Sequence, residues 1–216
     1  MRGVRVVIFD FDYTLFDTSA GVVECMKRAF SASRLGEPTE EEIRQTIGLP
    51  LEQAITALAG PTAQVPEVAR SFLDFSEKYM VDRTQPLEPA PEVLKVLRAS
   101  GCRLTIVTGK HRARVERTLK KYELDWLFDH IVCGDEAPAK PNPEGLSRVM
   151  AAFADCEPAS FVYVGDHPFD IDTARNAGID CIAVATGKTA AAVLAARNPL
   201  RVIASLGELP GILLPR

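Results

Sequence analysis

The first hydrophobic segment of the chain is a short, largely apolar run that ends in two aspartates. It extends from Val4 to Phe9 and is followed by Asp10, Phe11 and Asp12. A near-continuous apolar run is typical of a parallel strand that is buried on both faces. Because an uncompensated buried charge is costly, the pattern predicts that Asp10 and Asp12 face a metal ion, a substrate or both.

The pattern changes from strand-like to helical after this segment. From about Leu15 to Pro86, apolar residues recur at helical spacing in three stretches, and no strand candidate of note is present. The proline-rich segment from Gln85 to Pro91 is typical of a hinge or linker. The apolar positions at helical spacing are Val22, Val23, Met26, Ala29 and Phe30, then Leu51, Ala54, Ile55 and Leu58, then Val68, Ala69, Phe72, Phe75 and Tyr79.

Strands and helices alternate over the rest of the chain. This alternation predicts a parallel sheet covered by helices on both faces, with a helical insertion after the first strand. In such folds, ligands bind beyond the carboxyl ends of the strands. The predicted strands lie near 103–107, 130–132, 160–164, 181–184 and 202–203, and the predicted helices near 92–99, 112–122, 143–153 and 170–176.

Polar residues follow several of these predicted strands. If the strands are neighbours in the sheet, these residues converge on one crevice, and the set suits phosphoryl transfer. A carboxylate can act as the nucleophile, and a second acid can move the proton of the leaving oxygen. Magnesium prefers oxygen ligands, and phosphoryl oxygens need fixed donors and positive charge. The residues are Asp10, Asp12 and Thr14, then Thr108, Gly109 and Lys110, then Lys140 and Pro141, and finally Asp166 and Asp170.

These motifs, in this order, resemble the haloacid dehalogenase superfamily, in particular its phosphoglycolate-phosphatase-like branch. The resemblance covers essentially the whole chain. It implies an α/β fold with a Rossmann-like three-layer α/β/α core, a parallel sheet and an inserted all-helical cap subdomain. The core would comprise residues 1–15 and 87–216, and the cap residues 16–86. The matching segments are Asp10-Phe11-Asp12-Tyr13-Thr14, Thr108, Lys140-Pro141-Asn142-Pro143 and Gly165-Asp166 followed by Asp170.

The resemblance also implies a role for each matching residue. Asp10 is expected to be the nucleophile and a Mg²⁺ ligand. Asp12 is expected to be the general acid and base, and to bind the metal through its backbone carbonyl. Thr108 is expected to bind the phosphoryl group, and Lys140 to hold the nucleophile and the phosphate together. Asp166 is expected to bind the metal, and Asp170 to bind it either directly or through another ligand. Thr14 is expected to orient the loop, and substrate contacts are expected from Tyr13, Thr14, Gly109 and Lys110.

Some positions depart from the family pattern or allow another interpretation. Asp12 favours phosphate chemistry, because relatives that dehalogenate lack a carboxylate there. Tyr13 stands where the family usually has glycine, so glycine's backbone freedom is lost. Asp170 also suits a role as a stabiliser of a helix N-terminus. Lys110 is either a substrate contact or a solvated side chain, and His167 occupies a position where relatives often have small hydroxyl residues.

Composition narrows the partners that we expect. The 216 residues carry a formal net charge of −4 with no basic block, which argues against nucleic acid as the main partner. The five cysteines show no Cys-x-x-Cys spacing and suit a reducing cytoplasm. No signal-peptide pattern or membrane-spanning apolar run is evident. We therefore expect a cytoplasmic protein without a membrane partner. The resemblance implies a small phosphomonoester as the substrate, and we expect a monomer or homodimer.

Rival functions remain within and outside this enzyme class. A nucleotidase or pyrophosphatase of the same superfamily is compatible with the motifs. A sugar-phosphate mutase is disfavoured, because the matching cap loop Ile47–Leu51 carries no charge. A catalytically inactive binding module is disfavoured by the intact set of acids.

Overall fold

The structure is a computed structural model that describes residues 3–61 and 64–214. The chain divides into two compact units, each with its own hydrophobic core. The first unit combines the segment up to Phe16 with the segment from Pro86 onward, and the second is Asp17–Gln85.

The first unit is built on a parallel sheet of six strands. The sheet order is β5-β4-β1-β6-β7-β8, so β1 lies in the interior between β4 and β6. Two further strands of two residues each, β2 and β3, form a separate small sheet. In chain order the strands are β1 (Val6–Phe9), β2 (Phe16–Asp17), β3 (Gln85–Pro86), β4 (Arg103–Val107), β5 (His130–Val132), β6 (Phe161–Gly165), β7 (Asp180–Val184) and β8 (Arg201–Ile203).

Ten α-helices occur among the described residues. The first four belong to the second unit and the other six to the first. They are α1 (Ser19–Ala32), α2 (Glu40–Gln45), α3 (Leu51–Ala59), α4 (Val65–Tyr79), α5 (Ala90–Ala99), α6 (Arg112–Lys121), α7 (Glu144–Ala152), α8 (Pro168–Ala177), α9 (Ala191–Ala195) and α10 (Leu209–Leu213).

Strand β1 is covered on both faces, as its apolar composition predicts. Successive side chains of a strand point to opposite faces. Val7 and Phe9 pack in a cluster with residues of α5, α6 and α10. Val6 and Ile8 pack in another cluster with residues of α7, α8 and α9. All four side chains are fully buried, so the sheet is the middle layer of three.

The second unit is helical. Its core is a single cluster in which α1 packs against α4, with contributions from α2 and α3. Helix α2 begins with a capping box, in which the side chain of Thr39 accepts from the backbone N–H of Glu42 and the Glu42 carboxylate accepts from the backbone N–H of Thr39. The core side chains include Val23, Met26, Phe30, Ile43, Ile55, Val68 and Phe72.

The predicted fold class is confirmed by this architecture, and the differences are local. Helix α8 begins at Pro168 rather than Asp170, because His167 caps its N-terminus. The prediction of no strand between Leu15 and Pro86 was wrong only for the two-residue strands β2 and β3. Helices α2, α9 and α10 were not predicted, because five or six residues are too few for a clear helical period.

The five cysteines are all buried and form no disulfide. Small buried thiols behave as apolar core residues, which agrees with the position of three of the cysteines in or beside hydrophobic stretches. Among the described residues, no helix combines the length and the apolar character needed to span a membrane.

Candidate active site

Asp10 lies directly beyond the carboxyl end of the interior strand β1. Its backbone N–H donates to the carbonyl of Val164 at 2.9 Å, which extends the pairing with β6 by one residue. Only 7% of Asp10 is exposed. The parallel sheet thus places this carboxylate at the edge where β4 and β6 also end.

The loop after Asp10 turns tightly and keeps a left-handed residue. The carbonyl of Phe11 accepts from the backbone N–H of both Leu15 and Phe16 at 3.0 Å, and the rings of Phe11 and Phe16 stack at 4.5 Å. Tyr13 has φ of 54°. The conformation that glycine adopts freely is therefore kept by a tyrosine, at a cost of about 1 kcal/mol. The hydroxyl of Thr186 donates to the Tyr13 carbonyl and supports the turn.

The residues after β4 form the second loop of the site. The backbone N–H of Thr108 donates to the carbonyl of Val132 at 3.1 Å, and its hydroxyl accepts from the backbone N–H of Lys110 at 3.2 Å. Gly134 lies so close to this loop that a Cβ atom there would fall 2.1 Å from the carbonyl oxygen of Gly109. Glycine at 134 is therefore needed for the two loops to pack together.

Two lysines each pair with one of the two aspartates of the first loop. The Lys140 ammonium lies 2.7 Å from Oδ1 of Asp10 and 2.6 Å from Oδ1 of Asp170. The Lys110 ammonium lies 3.0 Å from Oδ1 of Asp12. Burial alone would lower the pKa of Lys140, but Asp10 and Asp170 hold it above its ordinary value. The lysine therefore stays charged between the two carboxylates.

Asp170 contacts both the N-terminus of α8 and the ammonium of Lys140. Its Oδ2 accepts from the backbone N–H of His167 at 2.9 Å, while the His167 ring accepts from the backbone N–H of Phe169 at 3.2 Å. Its Oδ1 is also 3.1 Å from the hydroxyl of Tyr163, a residue of β6. Asp170 is completely buried. The structure thus gives Asp170 both the capping contact and the contact with Lys140.

Asp166 is held beside Asp10 by the first loop and by the loop after β7. The hydroxyl of Thr14 donates to Oδ1 of Asp166 at 3.3 Å. A Cβ atom at Gly187 would fall 1.9 Å from Oδ2 of Asp166, and one at Gly165 would fall 2.3 Å from the carboxylate of Asp170. Glycine at these two positions therefore leaves the room that the two carboxylates occupy.

Three carboxylates of this edge form a compact acidic cluster. Oxygen atoms of Asp10, Asp166 and Asp170 all lie within 4.8 Å of one another. Burial raises the pKa of Asp10, against the lowering effect of Lys140, and the neighbouring acids Asp170 and Asp12 also raise it, so that it reaches about 7. Burial also raises the pKa of Asp166 well above its ordinary value, as do Asp170 and Asp10.

The chemistry of this donor set fits a divalent cation. When all three are ionised, these buried carboxylates against the one ammonium of Lys140 leave two negative charges for a cation to neutralise. Hard oxygen donors are the ligands that Mg²⁺ takes in proteins. The Asp12 carboxylate is outside this cluster and faces Lys110 instead. That placement is compatible with the expected use of its backbone carbonyl rather than its side chain.

The structure brings together the residues singled out from the sequence in three contact groups. Tyr163 and Gly187 are among the residues of the site that were not predicted. The signal for Tyr163 was a tyrosine inside a buried strand, where its hydroxyl needs a partner. Gly187 left no signal, because its role depends on an approach between distant segments. The three contact groups of predicted residues are Asp10 with Lys140 and Asp170, Asp12 with Lys110, and Thr14 with Asp166. The predicted residues Tyr13, Thr108 and Gly109 lie in the adjoining loops.

Comparison with known proteins identifies relatives over nearly the whole length. The family model described as haloacid dehalogenase-like hydrolase matches residues 7–184. Pyrophosphatase PpaX of Bacillus mycoides is 28% identical over 211 residues, which are 97% of this chain and 97% of that protein. Pyrophosphatase PpaX of Halalkalibacterium halodurans is 30% identical over 177 residues, covering 82% of this chain and 81% of that protein.

Solved structures show the same architecture. A protein from Bacteroides fragilis, described as a haloacid dehalogenase-like hydrolase, superposes with a TM-score of 0.90 at 32% identity, covering 95% of this chain and 99% of its own. A predicted phosphoglycolate phosphatase from Haemophilus somnus superposes with a TM-score of 0.88 at 22% identity, covering 98% and 99%. The second likeness concerns the fold alone.

Proposed function

Because the chain belongs to the haloacid dehalogenase-like hydrolase family, we propose that it is a magnesium-dependent phosphatase that forms an aspartyl phosphate on Asp10. The observation that carries this proposal is the placement of Asp10. It directly follows the interior strand β1, pairs with Lys140 and shares a buried cluster with Asp166 and Asp170. Such a cluster is costly for stability, and its use in binding and catalysis explains why it is present.

The first half of the reaction is attack by Asp10 on the phosphorus atom. Oδ1 of Asp10 is engaged by Lys140, which leaves Oδ2 to form the new bond to phosphorus. Asp12, which enters this step carrying a proton taken from solvent, gives that proton to the leaving oxygen as the bond between phosphorus and that oxygen breaks. Lys140 and the hydroxyl and backbone groups of the Thr108 loop bind the phosphoryl oxygens, whose charge is spread over three atoms.

The second half of the reaction restores Asp10. Asp12, now a carboxylate, takes a proton from a water molecule whose oxygen bonds to phosphorus. The bond from phosphorus to Asp10 then breaks, which releases inorganic phosphate and returns the Asp10 carboxylate. Asp12 therefore serves as acid and then as base, and this double use distinguishes it from Asp10.

The metal would be held by the carboxylates of Asp10 and Asp166 and by the backbone carbonyl of Asp12. Asp170 would assist, mainly by holding Lys140 in place. When bound, Mg²⁺ supplies positive charge that neutralises the buried acids and the phosphoryl oxygens. Thr14 orients Asp166 through its hydroxyl.

The two units are assigned different tasks in this proposal. Residues 1–15 and 87–216 form the catalytic core, and residues 16–86 act as a helical cap that restricts water and reads the leaving group. The substrate is a small phosphomonoester. Hydrolysis of pyrophosphate is a second candidate, because the relatives at 28% and 30% identity are pyrophosphatases.

A panel of phosphorylated compounds tests this proposal. With Mg²⁺, we expect release of inorganic phosphate from a generic aryl phosphate and from at least one of phosphoglycolate, pyrophosphate, a nucleoside monophosphate and a hexose phosphate. Removal of the metal with EDTA should reduce the rate by at least about 100-fold, and added Mg²⁺ should restore it. Release of phosphate is measured by a colorimetric assay. Failure to hydrolyse any compound with Mg²⁺ would instead support a binding module.

A further inference from the structure

The pair between Lys110 and Asp12 is a second ion pair at the candidate active site. Its ammonium and carboxylate are 3.0 Å apart, and the Lys110 side chain is only 6% exposed. A buried lysine is costly unless it is paired. The partner of this lysine is the residue proposed to protonate the leaving oxygen, not the nucleophile.

The main chain around Lys110 is held in place on both sides. Its backbone N–H donates to the hydroxyl of Thr108, and its carbonyl accepts from the backbone N–H of Gly134 at 2.9 Å. The ammonium also lies 5.9 Å from the centre of the Phe11 ring. Lys110 therefore presents its charge at a defined place, between the Thr108 loop and Asp12.

We propose that Lys110 recognises a negative charge on the leaving group, so that the preferred substrates are phosphoryl compounds whose leaving group is itself an anion. The inference rests on the proposed function, in which Asp12 protonates the leaving oxygen. An oxygen that accepts from Asp12 would lie about 3 Å from the Asp12 carboxylate. Because Lys110 is 3.0 Å from that carboxylate, the oxygen lies within roughly 6 Å of the ammonium.

The geometry distinguishes two kinds of leaving group. In phosphoglycolate and pyrophosphate, the anionic carboxylate or phosphate lies one or two bonds beyond the leaving oxygen, within reach of the ammonium. A neutral alcohol offers no charge at that place. On binding an anionic leaving group, Lys110 exchanges its contact with Asp12 for a contact with the substrate. Asp12 is then left to face the leaving oxygen.

Two substrates of matched size test this inference. Phosphoglycolate carries a carboxylate at the position where 2-hydroxyethyl phosphate carries a neutral hydroxymethyl group. We expect wild-type kcat/KM to favour phosphoglycolate by at least about tenfold. Lys110→Met should lower kcat/KM for both substrates, since Asp12 loses its ion pair with Lys110. It should also bring the ratio of the two kcat/KM values close to one. Lys110→Arg should keep most of the preference, and Lys120→Met, at an exposed lysine of α6, should keep all of it.

The ratio of the two kcat/KM values distinguishes recognition of the leaving group by Lys110 from a merely structural role of Lys110. If Lys110 only supports Asp12, Lys110→Met lowers both values equally and the inference is wrong. It is also wrong if the wild-type ratio is close to one. Hydrolysis of the aryl phosphate is measured in parallel. Its absence in the wild-type protein contradicts the proposed function, whereas its presence with a ratio of one contradicts only the role of Lys110. If Lys110→Met does not fold by circular dichroism, Lys110→Gln takes its place.

Discussion

Asp10→Asn is expected to abolish phosphate release while making the metal-free protein more stable. The amide cannot attack phosphorus, and we expect kcat to fall by at least about 1,000-fold. The amide oxygen can still accept from Lys140, so the fold should be retained. Steady-state hydrolysis of an aryl phosphate with Mg²⁺ measures the first effect. The exposed residue Asp180, at the start of β7, provides the matched control Asp180→Asn.

The expected gain in stability follows from the raised pKa of Asp10. Burial brings this pKa from 3.8 in the unfolded chain to about 7 in the folded state. Between these values the folded state holds a proton that the unfolded state has lost, so wild-type stability falls as the pH rises. Above pH 7 the folded protein bears the full cost of the charge. Removing that charge should stabilise the metal-free protein by roughly 1–3 kcal/mol.

Urea denaturation in EDTA measures this gain. The advantage of Asp10→Asn should be largest near pH 8 and should shrink as the pH falls towards 4, where the wild-type carboxyl is protonated in the folded state. An equal loss of stability at both pH values would show that Asp10 is not a strained buried acid. Near-wild-type turnover in this variant would show that it is not the nucleophile.

Lys140→Met should produce the largest loss of stability. The lysine is the shared partner of Asp10 and Asp170, at 2.7 and 2.6 Å. Removing one partner of a buried ion pair leaves an uncompensated charge and costs about 3–5 kcal/mol. Activity should fall as well, because in the proposed function the same ammonium binds the phosphoryl group.

The pH dependence identifies the cause of this loss. Lys140 lowers the pKa of Asp10, so the pKa rises above about 7 in its absence. The folded variant then holds its proton to higher pH than the folded wild type, so the destabilisation is larger at pH 8 than at pH 5, and the increase comes above about pH 7. Urea denaturation at pH 5 and pH 8 measures the free energy of unfolding of the variant and of the wild type. Lys95→Met, at an exposed position of α5, is the control. A loss that is independent of pH would indicate lost packing rather than an unpaired acid.

The core fold was predictable because each of its strands carries a local signal. The apolar run of β1 and the alternation of strands and helices identify a parallel sheet. The carboxyl ends of parallel strands lie at the same edge of the sheet. Asp10, Thr108 and Asp166 follow such ends and were therefore expected to lie close together, although they are distant in sequence. The family resemblance is confirmed by the match over residues 7–184.

Other features depend on contacts that no local pattern reveals. Gly187 matters because it passes close to Asp166, and Tyr163 matters because its hydroxyl reaches Asp170 from β6. The residue type at position 13 does not indicate the left-handed backbone that Tyr13 adopts, and the hydrogen bonds of the loop support that conformation. Helix α2 is the exception: it is too short for a clear helical period, but the capping-box spacing of Thr39 and Glu42 is a local signal of its N-terminus that was not used.

Chemical trapping of the intermediate tests the central claim most directly. During turnover with Mg²⁺ and substrate, rapid quenching followed by borohydride reduction converts an aspartyl phosphate into homoserine, which mass spectrometry of the peptides locates. We predict homoserine at position 10, only when substrate and metal are both present. Active enzyme that yields no homoserine, or homoserine at position 12 or 166 instead, would contradict the assignment of Asp10 as the nucleophile.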